Sequence, residues 1–181
     1  MSSPVDKLAL FIDGASLHTA SKALGFEIDF IRLLKEYDGR ANLVRALYYT
    51  VMIDGREYSS IRPLVDWLSY NGYIVVSKPA KEFDDGEGRR KIKRGMNVEI
   101  AVDMLELSKY VDQIVLFSGD GEFRLVVEAV QRRGVHVNVV SSRSMISDEL
   151  RRQADVFTDL LELKSSIGRD RLDHPPSRKS R

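Results

Sequence analysis

A chain of 181 residues suits one domain with a substantial core, since a chain of this size buries roughly 70% of the surface it exposes when unfolded, and two full domains would be cramped. Hydrophobic residues at 43% and charged residues at 30% exclude collagen-like, coiled-coil and largely disordered chains, and zero cysteines exclude a disulfide framework and thiolate metal sites. A net charge of +1 gives no global attraction to nucleic acid, so such a role has to come from how the charges are distributed.

In chain order, residues 1–7 are a short extension with no basic region leading into an apolar run. No stretch approaches the ~20 apolar residues that cross a bilayer. A cytoplasmic protein without a membrane partner is the expectation. The first strand reads as LALFID, Leu8 to Asp13. Helical spacing follows over Ser16 to Leu24 and Asp29 to Tyr37, then a second strand over Leu43 to Val51. A helix over Ser59 to Tyr70 leads into a third strand, YIVVS, Tyr73 to Ser77. The next segment, Lys81 to Gly95 (KEFDDGEGRRKIKRG), is charged and glycine-punctuated, and predicts an exposed excursion.

A helix over Asn97 to Tyr110, a strand over Gln113 to Ser118, a helix over Glu122 to Arg133 and a strand over Val135 to Ser141 continue the alternation. A short helix, Ser147 to Ala154, and an apolar run, Val156 to Leu163, complete it. Gly25, Gly39, Gly72 and Gly134 read as helix stops, and Asp29, Ser59 and Asn97 as helix caps. Strands alternating with helices, several without polar alternation, predict an α/β/α sandwich around a mainly parallel sheet. The domain is expected over 8–163, and residues 164–181, with the basic stretch GRDRLDHPPSRKSR, are expected to be a disordered basic tail.

In an open parallel sheet, ligands bind beyond the carboxyl ends of the strands. Asp13 ends the first strand before Gly14, and Asp120 follows QIVLFSG before Gly121, so both are expected at one edge, in a glycine-lined crevice, with Glu122 opening the next helix. Gathered carboxylates repel, and a hard divalent cation, Mg²⁺ or Mn²⁺, relieves the repulsion through oxygen ligands. Such an ion activates water and neutralises charge on a phosphate. Taken singly, an Asp-Gly after a strand is as much turn chemistry as catalysis. Two of them on separate strands shift the balance towards a site.

On the helix that follows, Glu99 and Asp103 share a face, yet for Glu99 and Glu106 spacing alone favours a solvated face. His18, His136 and His174 share no metal-binding spacing, and His136 in an apolar strand reads as core. Ser118 sits in no G-x-S-x-G elbow. Trp67, Met52, Met96 and Met104 read as packing residues. No G-x-G-x-x-G or G-x-x-x-x-G-K-[ST] occurs, so no nucleotide cofactor is expected. The missing D-x-D after the first strand and the missing lysine on the last argue against a phosphatase or receiver domain. Between Lys78 and Arg94 seven basic residues stand against four acidic ones. Arg89, Arg90, Lys93 and Arg94 read by themselves as a solvated loop, but they immediately precede the helix bearing Asn97, which makes them candidates to clamp phosphates near the metal edge.

FIDG near the start, RGMNVEIAVDML in the middle and VLFSGDGEF followed by a helix and GVHVNVV resemble, in order and spacing, the NYN domains of the LabA group. The resemblance runs from about Leu8 to Leu163. It implies a PIN-like, Rossmann-like fold and a metal-dependent ribonuclease with Mg²⁺ or Mn²⁺ as cofactor and RNA as partner. It places the family aspartates on Asp13, Asp103 and Asp120. Three positions depart from the pattern: Ser16 stands where Asn is common, Asn97 where the helix usually opens with Asp, and Glu122 where a second Asp follows. The implied catalytic set is Asp13, Asp120, Asp103, Glu122 and Asn97, with the metal at Asp13, Asp120, Asn97 and Glu122 and Ser16 near the RNA. Asn97 removes a negative charge, which weakens a hard-cation site. A degenerate, RNA-binding or regulatory module is therefore the alternative expectation, and self-association is left open.

Overall fold

The computed structural model of the protein describes residues 6–52, 61–84, 86–93 and 95–169. Six strands form one sheet: β1 (Lys7–Asp13), β2 (Asn42–Met52), β3 (Ile74–Pro79), β6 (Gln113–Phe117), β7 (His136–Ser141) and β8 (Val156–Asp159). Every neighbouring pair is parallel, and the order is β3-β2-β1-β6-β7-β8. Chain order reverses direction between β1 and β6. That makes their carboxyl ends the topological switch point, where a doubly wound sheet opens a crevice.

The period-two rule decides which face each strand residue serves. Leu8, Leu10 and Ile12 of β1 enter the core beneath α1 (Gly14–Ala23), α2 (Phe30–Asp38), α3 (Arg62–Tyr70) and α7 (Lys164–Ile167). Ala9 and Phe11 enter the opposite core, beneath α4 (Asn97–Leu107), α5 (Arg124–Gln131) and α6 (Asp148–Gln153). Tyr48 and Tyr49, adjacent in β2, are divided between the two cores in the same way. Both faces are covered, which explains why the strands show no polar alternation.

Several elements depart from expectation. The charged excursion is an antiparallel hairpin of β4 (Lys81–Asp84) and β5 (Arg90–Lys93), turned through Gly86 and Gly88 at positive φ. The last apolar run is the edge strand β8 followed by a 3₁₀ turn over Leu160–Leu163. The start of the expected tail is docked: Ile167 is fully buried, its carbonyl accepts from the Asp29 amide at 2.8 Å, and Gly168 bridges to Ile28.

Gly25, Gly72 and Gly134 take positive φ, whereas Gly39 stays right-handed at −71°. Asp29 caps α2 as expected, with its carboxylate accepting from the amides of Ile31 and Arg32. Asn97 does not cap α4; it is the first helical residue, and its side chain is used elsewhere. Ser59 lies outside the described residues. Met96 and Met104 are buried, but His136 is exposed at the start of β7 and Trp67 is 38% exposed on α3, so neither is a core residue.

Candidate active site at the carboxyl edge of the sheet

Asp13 ends β1 and caps α1, its Oδ1 accepting from the Ser16 amide at 3.3 Å. Asp120 follows β6 and caps the 3₁₀ turn Gly121–Phe123, its Oδ1 accepting from the Glu122 amide at 2.9 Å. Both aspartates are therefore turn residues as well as strand-end acids. The capping role and the site role coexist because each cap uses one carboxylate oxygen and leaves the other for the edge.

Ser118, 1% exposed at the end of β6, links the two loops. Its hydroxyl donates to Asp13 Oδ2 and accepts from the Asp120 amide, both at 3.3 Å. Ser16 adds a second tie, with Oγ accepting from the Gly119 amide at 3.4 Å. This bond joins α1 to the β6 loop and gives Ser16 a structural role beside the RNA contact expected of it. Burial pushes the Asp13 carboxyl above its ordinary range; the Ser16 and Ser118 hydrogen bonds work against this, and the nearby charge of Asp120 adds to it.

The glycines of this edge do not line an open crevice. A Cβ on Gly119 would lie 2.6 Å from the Met145 carbonyl, and one on Gly121 would lie 2.8 Å from Ser147 Oγ. They let the β6 loop pack against the segment that follows β7. Gly14 is tighter still, with a Cβ meeting Tyr48 Oη at 2.5 Å and the Tyr49 carbonyl at 2.8 Å.

Asn97 closes the cluster. Its Nδ2 donates to Asp120 Oδ2 at 2.8 Å and to Glu122 Oε2 at 2.6 Å, so one neutral amide nitrogen sits where two carboxylates converge. Asp103, two turns along α4, takes another course: its Oδ2 accepts from Tyr49 Oη at 2.8 Å and shares no hydrogen bond with Asp13, Asn97, Asp120 or Glu122. Burial first, and then the Asp103 bond, hold the Tyr49 hydroxyl firmly protonated. Glu99 pairs with Lys78 across to β3 at 2.7 Å, so it is not merely solvated, while Glu106 pairs with Lys109 on the exposed face.

Among the described residues, no three His, Asp or Glu side chains come together in a way that would hold a metal ion. The donors at this edge are all oxygens, and two carboxylates point at one position. That suits a hard cation of the Mg²⁺ type, which is commonly bound through one or two carboxylates and keeps several waters. Of the basic residues, Arg89 is exposed beside β5 and engaged in an interaction of its own. Arg90 and Lys93 belong to β5, and their side chains, like all of Arg94, lie outside the described residues.

Sequence reasoning missed Ser118, Tyr48 and Tyr49. The FSGDG motif drew attention to its aspartate and away from the serine two residues earlier. The pair YY carries no motif, and only the register Asp13↔Tyr49 shows that β2 delivers these tyrosines to the β1 carboxyl end.

A six-stranded, all-parallel doubly wound sheet with acids at its switch point defines the class: a PIN-like α/β domain. The chain belongs to the NYN domain family, whose model matches residues 7–162 and whose members are generally nucleases. It is 36% identical over 173 residues to the low amplitude and bright protein LabA of Synechococcus elongatus, covering 93% of this chain and 91% of that one. An uncharacterized protein, y4oD, of Sinorhizobium fredii is 32% identical over 82 residues, 42% of this chain and 37% of its own. A crystal structure of a protein of unknown function from Vibrio parahaemolyticus superposes with a TM-score of 0.75 at 25% identity, over 93% of this chain and 99% of the other.

Proposed function

We propose that this domain hydrolyses phosphodiester bonds of RNA, with Mg²⁺ or Mn²⁺ held by Asp120 and Glu122 and with Asp13 beside them. One observation carries the reading: the two carboxylates converge on a single point at the switch-point edge, with Asp13 tied to the Asp120 backbone amide through Ser118. A bound cation supplies an activated water and neutralises charge developing on the phosphate. The chain's own residues do the rest.

Ser118 and the Ser16 amide fix the Asp13 carboxylate. Asn97 holds Asp120 and Glu122 together, and its amide oxygen is a further neutral ligand once the side chain turns over. Asp103 acts through Tyr49, which pairs in register with Asp13, and is a positioning residue. Arg89, Arg90, Lys93 and Arg94 immediately precede α4 in the sequence, and that basic run is the expected source of positive charge for RNA phosphates.

A second reading is favoured by the same amide. Asn97 Nδ2 already satisfies a lone pair on each carboxylate, a link between the two acids that needs no cation. On that reading the domain binds RNA, or regulates, without cutting.

Cleavage of single-stranded RNA in Mn²⁺, by the parent and by Asn97→Asp, separates the two. A parent that cuts, with Asp13→Asn and Asp120→Asn losing at least ~100-fold of the rate, supports the nuclease. A silent parent whose Asn97→Asp variant cuts supports the degenerate reading. If none of these proteins cuts, the site is not hydrolytic.

A further inference from the structure

On the α1–α2 side of the sheet, a cavity of about 550 Å³ opens against the first turn of α1. Its volume lies within the ~300–1,000 Å³ common for small-ligand sites. Phe26, Phe30, Tyr48 and Leu64 give it an aromatic and aliphatic wall, and the exposed His18 and Lys22 of α1 stand at its mouth. Gly14 belongs both to this cavity and to the Asp13 turn, so the cavity begins one residue from the acidic edge.

Tyr48 is the telling residue. It is 3% exposed, yet among the described residues its hydroxyl has no hydrogen-bond partner, and it lines the cavity. The ring is fixed: Phe30 packs edge-on against it at 5.7 Å, and the lack of a Cβ on Gly14 leaves room for the hydroxyl. Burial, with a contribution from the Asp13 charge, pushes its pKa up to about 12, so it remains a neutral hydroxyl able to donate and accept. With no protein partner, the hydroxyl opens onto the cavity and is available to a ligand there.

We propose that this cavity takes the nucleobase of an unpaired RNA residue adjoining the acidic edge, with Tyr48 Oη hydrogen-bonding to the base and His18 and Lys22 meeting the backbone as it leaves. The inference rests on the RNA-cleavage reading for its choice of ligand. A flat, largely apolar heterocycle with a polar rim matches an aromatic wall bearing one hydroxyl. The Lys22 ammonium at the mouth matches the phosphates that flank such a base. Single-stranded RNA is the substrate form implied, because bases reach protein pockets only when unstacked and unpaired.

The test is anisotropy of a labelled single-stranded RNA decamer on the full chain in EDTA, which prevents metal-dependent cutting, against an equal-length oligomer of abasic spacers and against duplex RNA. The intact strand is expected to bind most tightly. Tyr48→Phe should weaken it roughly two- to tenfold without changing the abasic control. Phe30→Leu should weaken it by roughly five- to a hundredfold, and charge reversal at Lys22 should weaken both oligomers alike. Equal affinity for intact and abasic strands, equal affinity for duplex, no RNA binding, or an unaffected Tyr48→Phe each overturn the proposal. A parallel Mn²⁺ cleavage assay keeps the two readings apart. A parent that binds through the cavity but does not cut leaves the pocket standing and removes the nuclease. A parent that cuts while ignoring the base does the reverse.

Discussion

Two groups of carboxylates lie within a few turns of each other and meet opposite fates. On the sheet-facing side of α4, Asp103 has the Tyr49 hydroxyl and Glu99 has the Lys78 ammonium. Each acid there has its own donor. At the strand ends, Asp13 has the Ser118 hydroxyl and the Ser16 amide, while Asp120 and Glu122 share the Asn97 amide nitrogen, and no cationic side chain bonds to any of the three among the described residues. The contrast extends to how tightly two of these acids hold a proton. Burial works to raise Glu99, but the Lys78 hydrogen bond and the charges of Lys78 and Lys81 outweigh it, and the group is held below its ordinary range. Asp13 is raised. Matched charge accompanies the structural acids here, and mismatched charge the candidate site.

The largest expected break in this contrast is Gly14→Ala. Its Cβ would press on a backbone carbonyl as well as on Tyr48, so relief requires β1 and β2 to shift. Such overpacking costs about 3 kcal/mol, and because Tyr49 moves too, both carboxylate groups should be disturbed; thermal unfolding within a degree or two of the parent would show that the edge is looser than described. Next comes Asp103→Leu, which strands the Tyr49 hydroxyl in the core. A loss of about 2 kcal/mol in urea unfolding is expected, and Tyr49→Phe on the same background should restore part of it.

Asp13→Asn should move stability the other way. A carboxyl whose folded pKa is raised binds its proton more tightly folded than unfolded, so its contribution is full below the ordinary carboxylate range and is lost as pH rises through the folded value. Asparagine keeps the cap on α1 and cannot ionise. The variant is therefore expected to melt at or above the parent's temperature at pH 7, with the gap closing towards pH 4; a lower melting point at pH 7 would show that the Asp13 charge is compensated after all. Glu99 has the opposite sign, stabilising above its ordinary range and losing that contribution as the solution is acidified. The smallest effect is expected for Lys78→Met. Both partners are about one-third exposed, so no more than about 1 kcal/mol should be lost. A larger loss would place this pair among the buried ones.

The legible part of the fold was the part written in local pattern. The strands and their order along the chain follow from apolar runs, and Gly25, Gly72 and Gly134 punctuate the helices where left-handed backbone is needed. The hairpin β4-β5 escaped because its residues carry charge instead of an alternating apolar face. Ile167 escaped because one apolar residue in a polar tail has no period, and only the groove beside α2 gives it somewhere to go. Asp13, Asp120 and Glu122 were legible as strand-end acids, and Asn97 as the odd residue in a motif. That its amide spans two carboxylates was not, since the partners lie 23 and 25 positions away in sequence.

The sequence alone determined the alternation of strands and helices, the acids at the ends of two strands and the kinship with NYN domains, because each is encoded in spacing or in contiguous motif. Tertiary structure alone decided that β1 and β6 lie side by side, that Ser118 links their aspartates, that Asp103 belongs to Tyr49, and that Tyr48 lines an aromatic cavity. The physical reason is that hydrogen bonds and desolvation act over a few ångströms of space, whereas the residues they join are brought together only when the sheet closes its register.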